Sequence, residues 1–187
     1  MRSLKVLLVP VVVAAAVVGL SVSASAGRDA RPFGGTVSGV VNFLPDLEVP
    51  DPGCPIDLVT VSDGQGTFTH LGKTTMRAHH CTPPFVDFAE FGEMILTAAN
   101  GDEVWIEYNL FAPFPGPGTT VIHGTGDFEI VGGTGRFADA TGGQPLDADW
   151  GTYNYTFDIV FPGFGETGPL PGPWSATWTF GPTIIGY

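Results

Sequence analysis

Residues 124–143 read GTGDFEIVGGTGRFADATGG, and the fold can be predicted outward from this stretch. Polar and apolar side chains alternate along residues 127–131, which predicts a half-buried β-strand. Three glycines then interrupt the alternation and supply the positive-φ positions of a tight structural turn: Gly132, Gly133 and Gly135. A second short strand is expected to begin at Arg136, with Phe137 as the apolar side chain that packs behind the turn.

The same glycines fit part of a dinucleotide-binding fingerprint, because Gly133, Gly135 and Ala138 have the spacing G-x-G-x-x-A. That fingerprint also requires a helix that opens at the glycines inside a strand–helix–strand unit. Residues 142–145 read GGQP and would end any such helix almost at once. We therefore expect a structural turn here and no bound cofactor.

Residues 1–26 have the pattern of a secretory signal peptide. A basic start is followed by an apolar run and by a small-residue cleavage site that ends at Ala26. We predict cleavage after Ala26, which leaves residues 27–187 as a single β-barrel domain. The mature protein is then secreted to the extracellular space and has no membrane segment.

The chain is strongly acidic, with 19 Asp and Glu residues, 7 Lys and Arg residues and a formal net charge of −12. Arg2 and Lys5 belong to the expected signal peptide, so the mature chain is more acidic still. Nucleic acids and anionic membrane surfaces select basic patches. The composition therefore argues against a nucleic-acid partner and is typical of an acidic exported protein.

Cys54 and Cys81 are the only cysteines of the chain, and in an exported protein such a pair is expected to form a disulfide bond. In the chain-entropy model this bond would stabilise the fold by about 3.5 kcal/mol. A zinc site is the alternative, because His70 and His79 could join the two thiolates. The paired Cys-x-x-Cys spacing of such sites is missing, so we predict a disulfide and no metal.

Turn signals recur roughly every ten residues between runs rich in Val, Thr and Phe, and no long helical pattern occurs. Asn100 and Gly101 between two alternating runs predict a hairpin, and residues 63–66, DGQG, predict another. Gly124 and Gly126 inside a long strand predict a bend in the wall of a barrel. The sequence therefore predicts an all-β fold, an antiparallel eight-stranded β-barrel of the up-and-down, calycin-like type.

Residues 131–137, VGGTGRF, and residues 140–142, ATG, resemble the glycine turn shared by plant dirigent proteins and the allene oxide cyclase barrel superfamily. Residues 70–72 and 96–103 resemble further parts of small exported bacterial members of this superfamily. The resemblance implies an eight-stranded antiparallel barrel with a mostly apolar cavity. In the plant families this cavity binds a hydrophobic intermediate and steers its cyclisation or radical coupling. The plant relatives assemble as dimers or trimers, which makes an oligomer one expectation here.

Strand alternation places a set of mainly apolar side chains inside the barrel: Phe68, Met94, Leu96, Ile106, Tyr108, Leu110, Phe128, Ile130, Tyr155, Phe157 and Trp178. His70 is expected on the same face as Phe68. Imidazole and hydroxyl groups can bind the polar part of a ligand, which makes four residues the candidate ligand-binding set: His70, Tyr108, Tyr153 and Tyr155. No G-x-S-x-G motif lies near a histidine, so catalytic residues are left unassigned.

The leading hypothesis is a secreted β-barrel that binds a small hydrophobic molecule in its cavity. One alternative is a dirigent-like or allene-oxide-cyclase-like enzyme that steers a cyclisation or coupling with shape and one or two polar groups. Another is a structural or interaction protein of the cell exterior, with a filled barrel and an exposed apolar patch near residues 85–91.

Overall fold

The structure, a computed structural model, describes residues 30–45, 58–81, 88–113, 121–143, 155–160 and 174–187. Within these ranges the chain forms ten β-strands and one 3-10 turn, Gly135–Phe137. The strands are β1 (Arg31–Pro45), β2 (Leu58–Phe68), β3 (Gly72–Cys81), β4 (Phe88–Ala98), β5 (Glu103–Ala112), β6 (Val121–Gly126), β7 (Phe128–Gly133), β8 (Thr141–Gly143), β9 (Tyr155–Val160) and β10 (Trp174–Gly186). In this part of the chain we find no helix of the length and apolarity that crossing a membrane requires.

The strands close into an antiparallel barrel, as the sequence predicts. Its wall runs β1–β2–β3–β4–β5–β6–β9–β10, and β10 pairs with β1 to close the circle. Two short strands, β7 and β8, complete the wall at one end. β7 follows β6 in the chain and pairs with β5. β8 pairs with β7 on one side and with β10 on the other. The predicted eight-stranded antiparallel β-barrel is therefore confirmed.

The two ends of the barrel differ. Short connections lie at one end, called the turn end below: residues 69–71, 99–102 and 134–140. Because β1 and β10 are antiparallel, Arg31 and Tyr187 lie at this end too. The opposite end, called the far end, holds the strand ends Pro45, Cys81, Ala112 and Val160.

The long strand predicted around Gly124 and Gly126 bends as expected. It divides at Asp127 into β6, which pairs with β9, and β7, which pairs with β5. The Asn109 backbone N–H donates to the Asp127 carbonyl, and the Asp127 N–H donates to Asn109 Oδ1, each over 3.0 Å. Backbone groups that the bend removes from the ladder are thus satisfied by Asn109.

All side chains that alternation places inside the barrel are buried. Aromatic rings dominate the middle and the turn end of the interior. Five of them form a contact series, called the aromatic column below, with ring centroids 5.1–6.3 Å apart: Phe33, Phe68, Phe128, Phe180 and Tyr155. Such tilted and stacked ring pairs stabilise a core beyond their buried area.

The hairpin predicted at residues 63–66 is wrong, because β2 continues through them to Phe68 and the chain turns at residues 69–71. Gly64 and Gly66 serve a different purpose. A Cβ added at Gly66 would lie 1.9 Å from the carbonyl oxygen of Thr36 on β1. These glycines therefore allow a close approach of two strands, which a sequence pattern cannot distinguish from a turn.

The strand predicted at Arg136 is also wrong, because this residue lies in the 3-10 turn and strand structure resumes only at Thr141. Gly135 has φ of +56°, and the turn that follows directs Phe137 into the barrel, where it is fully buried. Arg136 points away from the core, with its Nε 3.4 Å from Asp102 Oδ2. The predicted role of Phe137 thus holds in a different local conformation.

Candidate functional site

Two of the predicted ligand-binding residues meet inside the barrel. Tyr108 lies on β5 and Tyr155 begins β9, and both side chains are almost completely buried. Their ring centroids are 6.2 Å apart, and the ring planes are nearly perpendicular, at 88°. Tyr155 also stacks on Phe180. Tyr108 and Tyr155 therefore lie at the end of the aromatic column that is nearer the far end of the barrel.

The Tyr108 hydroxyl lies 2.5 Å from Nδ1 of His80 on β3. Either atom can donate, depending on the tautomer of His80. The ring reaches β3 because Gly92 lies between them on β4, where an added Cβ would lie 2.4 Å from Tyr108 Cζ. The end of the tyrosine ring therefore occupies the space that a side chain at position 92 would need.

His80 belongs to an inward-facing line of polar residues that follows the register of the sheet. Thr60 on β2 is directly opposite His80, His80 is opposite Gly92, and Gly92 is opposite Tyr108. Thr60 is buried and His80 is half-buried. We call Thr60, His80 and Tyr108 the polar row; it crosses the far half of a mainly apolar interior.

His80 was not among the predicted site residues. In the sequence it lies in a compact cluster, His79-His80-Cys81, and a cluster of His and Cys is more typical of a metal site than of a ligand-binding site. The alternation of β3 carries the signal that could have found it, because Thr74, Met76 and Ala78 are buried and His80 continues their face.

The tyrosine hydroxyls have defined partners. Tyr155 donates to the carbonyl oxygen of Asn109 over 2.8 Å, beside the bend at Asp127. Its ring covers Gly126, and the ring of Phe157 covers Gly124 in the same way. The interior rings of this region therefore lie against the barrel wall, each on a glycine of the next strand.

His70 lies outside this arrangement. It occupies the connection between β2 and β3 with φ of +66°, and its ring contacts Tyr187 at 6.2 Å. The expectation that it faces the interior beside Phe68 is wrong, because the strand ends at Phe68 and the chain turns there. Its carbonyl oxygen accepts a hydrogen bond from Arg136, which joins two connections of the turn end.

Two further predicted residues fall on parts of the chain outside the described ranges: Tyr153 and Cys54. Cys81 is the last residue of β3 and is half-buried at the far end. The disulfide between Cys54 and Cys81 therefore stays a prediction. Residues 85–91, named for an exposed apolar patch, likewise lie in positions whose side chains are not described.

Side chains cover the turn end. Phe137 is fully buried and packs against the Tyr187 ring at 4.8 Å, and Leu71 is buried beside the β2–β3 connection. The guanidinium group of Arg31 lies over Tyr187 at 5.3 Å and that of Arg136 over Phe137 at 4.7 Å. The aromatic column lies directly inside these side chains. The half of the interior next to the turn end is therefore filled by side chains of the protein.

The remaining described histidines face outward. His123 Nδ1 lies 2.6 Å from Asp158 Oδ1, and His79 Nε2 lies 3.9 Å from Glu93 Oε2. Exposed pairs of this kind contribute little to stability. Among the described residues, no group of three His, Cys, Asp or Glu side chains is placed to hold a metal ion.

A hollow of about 670 Å³ opens on the outer surface over β1 and β2. Its lining is uncharged and includes Thr36, Ser38, Gln65 and Thr67. None of the predicted site residues lines it, and it is separate from the polar row.

A comparison of the chain with protein-family models, curated proteins and solved structures finds no significant match. The relation to the allene oxide cyclase and dirigent proteins therefore stays a prediction, based on the motifs quoted above.

Proposed function

We propose that this protein binds a small, mainly apolar molecule in the far half of its barrel, with the polar row as the hydrogen-bonding partners of the ligand. The observation that carries the proposal is the inward-facing His80–Tyr108 hydrogen bond of 2.5 Å within an apolar barrel. Sites for small molecules are typically lined by apolar side chains and contain a few polar groups that fix the orientation of the ligand.

The distribution of polar groups on the inner face supports the far half as the site. The aromatic column and Phe137 occupy the turn end, whereas the inward polar groups concentrate toward the far end. Ser62 is buried there beside Thr60 on β2. The apolar surroundings in this half are Val41, Leu110, Ile122, Phe157 and Trp174.

The signal-peptide pattern of residues 1–26 supports a location outside the cell. An exported carrier of apolar molecules would act in water, where a barrel interior would remove the apolar surface of its ligand from solvent.

The polar row also favours a second candidate function, a cyclase-type enzyme. A tyrosine hydroxyl that shares a hydrogen bond with an imidazole can pass a proton to or from a bound molecule. This candidate needs the same ligand site, so a binding measurement tests both before any turnover is sought.

The test is a titration of the purified protein with the neutral fluorescent dye N-phenylnaphthylamine, followed by dye emission and by quenching of the inward-facing Trp174 and Trp178. We expect saturable binding. Tyr108→Phe keeps the ring but removes the hydroxyl, and we expect it to weaken binding about three- to tenfold, the range of one hydrogen bond.

Tyr187→Phe is the matched control, because this tyrosine lies at the turn end against Phe137. It should leave dye affinity unchanged. Absence of saturable binding, or equal affinity of the wild-type protein and Tyr108→Phe, would contradict the proposed site. Thermal unfolding of each variant shows whether the barrel is intact.

A further inference from the structure

Three large apolar side chains are exposed together on the outer wall. Ile95 on β4 is directly opposite Trp105 on β5, and Trp105 is opposite Gly132, the residue after Val131 on β7. Ile95 and Trp105 are each 41 % exposed, and Val131 is 46 % exposed. We call Ile95, Trp105 and Val131 the apolar row.

Trp105 makes two contacts on this surface. Its Nε1–H donates to Glu103 Oε2 over 3.0 Å. Its ring lies over Gly132, where an added Cβ would be 3.4 Å from Cε3 of the indole. Contacts that restrict a side chain before binding reduce the conformational entropy that it loses on binding, which favours a role as an anchor.

Three glutamates lie beside the apolar row. Glu93 on β4 is directly opposite Glu107 on β5, and Glu107 is directly opposite Glu129 on β7. Neighbouring strands are about 4.8 Å apart, so these carboxylates repel one another, and like charges directly opposite in a sheet are destabilising. We call Glu93, Glu107 and Glu129 the acidic row. Two basic side chains of β3 adjoin the surface: Arg77 is directly opposite Ile95, and His79 Nε2 lies 3.9 Å from Glu93 Oε2.

We propose that the apolar row and the acidic row together form a docking surface for a protein whose contact segment carries apolar side chains flanked by Lys or Arg. Tryptophan is enriched among the few residues that contribute most of the binding energy at protein interfaces. Such residues are typically surrounded by a polar rim. Basic groups of the partner would relieve the repulsion within the acidic row. A second copy of this chain would instead add its own acidic row, at a net charge of −12 per chain.

The experiment uses a synthetic peptide of alternating Lys and Leu, fluorescently labelled, and a charge-reversed counterpart of alternating Glu and Leu. Binding to the purified protein is followed by anisotropy at low and at physiological salt. We expect the Lys peptide to bind and the Glu peptide not to bind. Glu107→Gln/Glu129→Gln should weaken binding about fivefold at low salt, and Trp105→Ala should weaken it about tenfold.

The matched control is Asp158→Asn, compared with Glu107→Gln alone, because it removes one charge from an exposed position on β9, which pairs with none of the strands that carry the two rows. At physiological salt, where the Debye length is about 8 Å, we expect this control to change the affinity less than about twofold. Equal weakening by Glu107→Gln and Asp158→Asn at physiological salt would assign binding to net charge and overturn the proposal. Unchanged binding by Trp105→Ala would also overturn it, as would a self-association that Trp105→Ala abolishes, since the surface would then serve a second copy.

Discussion

At the level of single residues, the interior depends on aromatic rings that lie on glycines of the neighbouring strand. Tyr108 covers Gly92, Tyr155 covers Gly126 and Phe157 covers Gly124. Each pair is directly opposite in the ladder, so the ring takes the volume that a Cβ would occupy. The glycines therefore determine where the interior side chains can lie, although they carry no side chain themselves.

Gly92→Ala tests this dependence. The new Cβ would meet Tyr108 Cζ at 2.4 Å and the His79 carbonyl oxygen at 2.8 Å. We expect the free energy of unfolding, measured by denaturant titration, to fall by about 1–3 kcal/mol, as overpacked cores do. The dye affinity should fall as well, because the displaced ring loses His80.

A double-mutant cycle with Tyr108→Ala separates the ring from the backbone contact. Gly92→Ala should cost clearly less in the Tyr108→Ala background than in the wild-type protein. Equal costs in both backgrounds would show that the tyrosine does not depend on the glycine.

At the level of elements, strands with strict alternation were predictable and the turns were only partly so. The β4–β5 hairpin at Asn100 and Gly101 forms as predicted, with φ of +88° at Gly101. The Asp-Gly signal in β2 failed because glycine serves equally for a turn and for a close approach of strands. Which of the two applies depends on the partner strand, and a single sequence does not contain that information.

The site was predictable to the extent that it follows strand alternation. Tyr108 and Tyr155 were identified because both continue apolar faces, and both are buried inside the barrel. The placement of His70 is wrong because it assumes that strand alternation continues beyond Phe68, where β2 ends and the chain turns. The inward position of His80 follows from the alternation of β3, but its hydrogen bond to Tyr108, 28 residues away, depends on the register of three strands and could not be predicted.

The 3-10 turn Gly135–Phe137 is the element that closes the turn end, and Phe137 is its buried side chain. Phe137→Ala should lower the free energy of unfolding by about 3–5 kcal/mol, the usual cost of deleting a buried phenylalanine. Chemical denaturation measures this change.

Arg136→Ala is the control in the same turn. Its side chain is exposed and its ion pair with Asp102 lies at the surface, so a loss of about 1 kcal/mol or less is expected. Similar losses for both variants would mean that Phe137 does not secure the turn end.

At the level of the whole molecule, the predicted disulfide would fasten the far end. Cys81 ends β3 there, and the bond to Cys54 would connect it to the segment between β1 and β2. Maleimide labelling of the denatured protein, purified without a reductant, should show no free thiol before reduction. Reduction or Cys54→Ser/Cys81→Ser should lower the free energy of unfolding by about 3.5 kcal/mol. Full labelling without a reductant would contradict the bond.

The pairing of β1 with β10 has a consequence for the order of folding events. These two strands are the first and the last that the structure describes, with Arg31 opposite Ile185, and their contact closes the barrel. The wall cannot be completed until β10 has been synthesised, so the nascent chain has no closed native state to adopt before that point. Pairing over such a separation also makes the fold one of high contact order, for which refolding takes roughly milliseconds to seconds. During that interval both terminal strands expose unpaired backbone, so refolding yield should depend on protein concentration.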